Sequence, residues 1–179
     1  MQKYFNSPIA QAGIFAFVFA AFFCLGCIFH QATVKALMPT ISTAISIVDK
    51  TGIAGRDSLI PLVAVIFAKN ISVVVMILVF GSRLFGLFSF YILAVNGVVA
   101  GAVYSSIVFS GVPYFEASLY FLPHGIIEIP AVIAACVLAI QLKNTIKRKT
   151  ANGLKYLVVP LMLAALVEVY VTPALLKIV

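Results

Sequence analysis

The stretch LYFLPHGIIEIPAVIAACVLAIQL, Leu119–Leu142, decides how the whole chain is read. A helix needs about 20 mostly apolar residues to cross the hydrocarbon of a bilayer. This stretch supplies them, with His124 and Glu128 as its only acidic or basic side chains. Four further segments of the same kind lie along the chain: about Ile9–Phe29, Ile60–Val79, Phe85–Phe109 and Leu154–Leu176. Each is bounded by polar residues, Gly or Pro, as helix ends are. The composition agrees, at 64% hydrophobic and 9% charged over 179 residues, where soluble domains run at roughly 45–50% and about 25%. Mean hydropathy is +1.19. A soluble enzyme, a disordered chain and a secreted disulfide scaffold are thereby excluded. The expectation is an all-α integral membrane protein, a polytopic bundle of about five transmembrane helices forming a single domain over residues 1–179.

Charge then orients the bundle. Five crossings put the termini on opposite sides. One side carries Lys3, Arg83, Lys143, Lys147, Arg148, Lys149 and Lys155; the other carries Lys35, Lys50, Arg56 and Lys177. Positive charge stays cytoplasmic, so the N-terminus is predicted inside and the C-terminus outside, in the cell membrane. The net charge of +7 is read as a topology signal with lipid as the partner, not as a nucleic-acid surface. The first segment is read as an uncleaved helix. CLGC at 24–27 has the outline of a lipoprotein cleavage box, but Cys24 and Leu25 fill its upstream positions poorly, and no small-x-small site follows the run.

Two outer loops carry structure of their own. In PTISTAISIVD at 39–49, Ile41, Ala44, Ile45 and Val48 fall at helical spacing opposite Ser42, Thr43, Ser46 and Asp49. That pattern predicts a short amphipathic helix in the interface. PYFEASLYF at 113–121 is rich in aromatics, with Tyr114 and Tyr120 suited to headgroup depth.

Chemistry is concentrated in the few polar residues within the spans: Lys69, Asn70, Asn96, His124, Glu128 and Glu168. Ionisable groups in lipid cost about 2.5–3.5 kcal/mol each, so they face a partner or a wet cavity. At about 1.5 Å rise per residue, Glu128 lies ~13 Å, Glu168 ~12 Å, Asn70 ~15 Å, Asn96 ~19 Å and His124 ~7 Å below the outer surface. They are therefore expected to share one pocket in the outer half of the membrane. His124 and Glu128 are i,i+4 and occupy one helix face. Pro130 leaves the carbonyl of Ile126 without its usual donor, and Thr172 follows Glu168 by four residues just before Pro173.

The fragments FLPHGIIEIPA (121–131) and LVEVYVTPALL (166–176), together with Asn70 and VNGVVAG (95–101), resemble the stage II sporulation protein M family of membrane proteins. The resemblance covers most of the chain from Ile60 onward; the first helix matches in hydrophobicity alone. In endospore formers it implies a protein of the engulfment machinery, assembling with two membrane-anchored cell-wall hydrolases at the septal membrane; the function expected of this chain is that of a non-enzymatic membrane scaffold. The family also occurs in organisms that make no spores. Asn70, Asn96, His124, Glu128 and Glu168 match its typical polar positions.

Three readings of the polar group stand side by side. It is a buried, hydrogen-bonded and charge-paired network that fixes helix packing, with Lys69 neutralising one carboxylate. Alternatively His124, Glu128 and Glu168 are ligands of a divalent metal such as zinc, as in a metal-dependent intramembrane hydrolase, although the HExxH pairing of zinc proteases is absent. Or the carboxylates relay protons in an ion-coupled transporter. No catalytic or cofactor-binding residue is assigned, because no Ser/His/Asp arrangement and no phosphate-binding Gly loop can be assembled. Cys24 and Cys27, a CxxC, and Cys136 are read as small apolar residues, and His30 as an interfacial polar residue. Gly97 and Gly101 form GxxxG, which admits a neighbouring helix closely, either from the same chain or from a second copy in a homo-oligomer.

Overall fold

The computed structural model describes residues 7–51, 59–81, 86–141 and 146–177, with the backbone alone described at 40–41, 43–51 and 146–153. Every regular element among them is helical. Helix α1, Pro8–Ile28, opens on a proline, where the missing N–H costs nothing. After the single residue Phe29 the chain enters α2, His30–Thr51. Helix α3, Ile60–Met76, continues into a π turn, Ile77–Gly81. The left-handed Gly86 (φ 86°) then turns the backbone into α4, Leu87–Phe109, a conformation that glycine adopts without steric cost. The short α5, Tyr114–Leu119, precedes α6, Leu122–Gln141. Helix α7, Ile146–Leu166, runs into a second π turn, Val167–Val171, and closes with α8, Thr172–Leu176.

Five of these helical stretches are long and apolar enough to cross a membrane: Pro8–Ile28, Ile60–Gly81, Leu87–Phe109, Leu122–Gln141 and Leu154–Leu176. They follow the segments expected from sequence to within three residues at each end. Between the first and second crossings, α2 starts at His30 and holds Pro39 inside it, so it is longer than the amphipathic stretch at 39–49. The side chains that define that amphipathic face lie outside the described residues. So do Lys3, Arg56, Arg83 and Lys143, and the side chains of Lys50, Lys147, Arg148 and Lys149.

Two groups of helices share α6 between them. On one side α1 packs along most of α4, with α2 against α4 as well. On the other, α3, α6 and α7 lie together, and the π turn at Ile77–Gly81 contacts both α6 and α4. The α6 face toward its neighbours is built from Ala131, Ala135, Cys136 and Ala139, all buried. Small side chains there let helices approach closely, which matters where lipid offers no hydrophobic drive for association. Phe15 of α1 and Leu93 of α4 fill the space around them, each 1% exposed.

The α1–α4 contact is a close one, backbone against backbone. A methyl at Gly97 would stand 2.7 Å from the Phe19 carbonyl oxygen, and one at Gly101 would overlap the Phe23 carbonyl. Gly26 of α1 is equally close to the backbone of Val98. The Cys27 thiol donates to the Gly101 carbonyl at 3.4 Å across the same contact. The GxxxG face is thus filled by α1 of the same chain, one of the two neighbours that the spacing of Gly97 and Gly101 left open.

Candidate functional site

Helix α6 presents His124 and Glu128 one turn apart. Pro123 occupies its first turn, and Pro130 removes a backbone donor two residues after Glu128. Glu168 comes from the π turn that ends α7. Pro173 disfavours a regular helix here, because it has no N–H and its ring crowds the carbonyl four residues earlier. The ladder shifts accordingly, the Thr172 N–H reaching back to the Val167 carbonyl. The Thr172 hydroxyl donates to the same oxygen at 3.3 Å. Widening the helix by one residue in this way is a feature often found at functional sites.

One donor atom each from His124, Glu128 and Glu168 lies within 4.8 Å of the other two. All three side chains are half-buried. Lys69 of α3 brings its ammonium 4.0 Å from Glu128 Oε1, but the lysine side chain is 63% exposed, so the pair is a weak, screened one. Nδ1 of His124 is buried with no hydrogen-bond partner among the described residues. Asn70, next to Lys69 on α3, is 1% exposed, and both polar atoms of its amide are likewise unpartnered among those residues. Leaving such groups unpaired costs about 1–3 kcal/mol each.

Asn96 behaves differently. Its amide donates to the Ile92 carbonyl of its own helix at 2.8 Å, and α4 packs chiefly against α1 rather than against α6 or α7. It is not among the residues brought together with the carboxylates. His30 stacks on Phe109 with ring centroids 4.6 Å apart and its Nδ1 3.2 Å from the Cys27 carbonyl; it joins α2 to α4 and belongs to packing. Cys24 is exposed, Cys27 half-buried and Cys136 buried, all as free thiols.

Sequence reasoning missed how the helix at Tyr114–Leu119 is held. Helix α5 packs on α8, immediately after the turn carrying Glu168. Tyr104 of α4 meets Phe121 edge-on at 6.3 Å and donates its hydroxyl to the Tyr114 carbonyl at 3.4 Å. These contacts tie α4, α5 and the segment leading into α6 together. The aromatic richness of 113–121 was the signal, though it was read as headgroup anchoring alone.

Five apolar crossings in an all-helical bundle define a polytopic helical membrane protein. The chain belongs to the stage II sporulation protein M family, whose model matches residues 15–173. That match reaches into α1, further than the resemblance read from Ile60 onward. Neither the curated proteins nor the solved structures include a similar chain.

Proposed function

We propose that this protein is a non-enzymatic membrane scaffold, a single domain that holds membrane-anchored partners in place. The observation that carries the reading is the family match, which runs across all five crossings. Two structural features support it. The α1–α4 pair is locked backbone to backbone at Gly97 and Gly101, and His124 and Glu128 of α6 meet Glu168 from the end of α7. In spore formers the partners are cell-wall hydrolases. The N-terminus is cytoplasmic, the C-terminus outside, and the membrane is that of the cell.

Mild solubilisation of native membranes and affinity capture of the full chain test this. The expected result is co-purification of at least one membrane-anchored protein at a constant ratio across independent preparations. A chain recovered without any stable partner and showing a turnover of its own overturns the scaffold reading. Ion flux in liposomes that falls in Glu128→Gln redirects it to transport.

A further inference from the structure

We propose that His124, Glu128 and Glu168 form a binding site for a divalent cation of the zinc type, clamping α6 to the π turn of α7. This inference does not depend on the scaffold reading. Three donors of the right chemistry converge, one imidazole nitrogen and two carboxylate oxygens within 4.8 Å of one another. Among the described residues none of the three hydrogen-bonds to another, and Lys69, at 4.0 Å from Glu128 and mostly exposed, supplies the one ion pair. A network held by hydrogen bonds requires short donor–acceptor contacts of about 2.7–3.2 Å; the group lacks them. Bonds of about 2.0–2.2 Å to a tetrahedral ion place ligand atoms roughly 3.4 Å apart. Each donor here reaches that spacing by moving inward by roughly 1 Å or less.

A second observation points the same way. His124 Nδ1 is buried and unpartnered among the described residues, so the imidazole is not committed to a protein hydrogen bond at that atom and is free to turn a ring nitrogen toward an ion. Charge balance is met as well, because one 2+ ion neutralises the two carboxylates that bind it. The imidazole selects zinc over calcium or magnesium, which take oxygen ligands in larger shells. Three protein ligands leave a fourth position for water or a partner's side chain.

The experiment uses the full chain in detergent, stripped with EDTA, equilibrated separately with Zn²⁺ and Co²⁺, and desalted before elemental analysis. The expected result is about one equivalent of metal per chain, falling at least about tenfold in Glu128→Gln and Glu168→Gln. Far-UV circular dichroism confirms that the variants fold. The Co²⁺ form shows weak visible bands without intense near-ultraviolet thiolate charge transfer. Three results overturn the proposal: less than a tenth of an equivalent in wild type, full retention by the doubly substituted chain, or thiolate charge transfer that places the metal on Cys24 and Cys27. Should the variants misfold, the wild-type stoichiometry and cobalt spectrum decide alone.

Discussion

Gly101 meets the Phe23 carbonyl where any side chain would overlap it, so it is the residue whose substitution reports most directly on the α1–α4 contact. Gly101→Leu is expected to destabilise the protein by about 1–3 kcal/mol, the range for overpacking, read as a lower thermal midpoint in detergent. Gly13→Ala is the control: nothing lies within 4 Å of its added methyl, and its midpoint is expected to stay unchanged. Asn70 poses the opposite case. An amide buried without partners gives up little when replaced by an apolar group of similar shape. Asn70→Leu is expected to raise stability by about 1 kcal/mol while any partner capture that depends on the polar group weakens; a large loss of stability shows instead that the amide is paired. At this scale the sequence was legible in kind. Gly97 and Gly101 announced a close helix, and Asn70 a costly burial. The identity of the neighbour was not legible, since the atoms that meet Gly101 lie far away along the chain.

Among the elements, the turn carrying Glu168 departs furthest from simple expectation. Pro173 signals a bend, because the proline clash is a local rule that holds in any context. Whether the strain is relieved by a kink or by one wider turn depends on the helices packed alongside, which no local pattern encodes. Pro173→Ala restores the N–H and lets the regular ladder resume. A one-residue change of register turns a helical side chain by about 100°, which carries Glu168 away from His124 and Glu128. The expected outcome is a loss of bound zinc of about tenfold or more with helical content retained, checked by elemental analysis beside circular dichroism. Helix α2 teaches a related lesson. Its amphipathic half was visible at 39–49, whereas its first half, from His30, is stabilised by contacts with α4 such as the His30–Phe109 stack, and so was hidden from a local reading.

For the molecule as a whole, the five crossings were readable because the length of an apolar run is a one-dimensional property. The grouping of helices was not, and Asn96 shows why. Depth alone placed it with the carboxylates, but rotation about α4 and the partnership with α1 set it apart. Orientation is the global property still carried by charge. Alkaline phosphatase fused after Val179 is expected to be active and a fluorescent protein fused there dark, with the reverse at the N-terminus. Neutralising Lys147, Arg148 and Lys149 is expected to reduce that asymmetry; equal signals from both C-terminal fusions in the wild-type chain count against the assignment.

The bond between Cys27 and Gly101 joins residues 74 positions apart, with the second crossing threaded between them. At about 5–20 residues per second of synthesis, α1 sits in the bilayer for roughly 4–15 s before the surface it docks on exists. During that interval Gly26 and its flanking backbone face acyl chains, which an apolar helix tolerates. Biogenesis thus contains a waiting period, and a premature stop before α4 leaves an inserted but unmated anchor, the kind of intermediate that membrane quality control is built to remove.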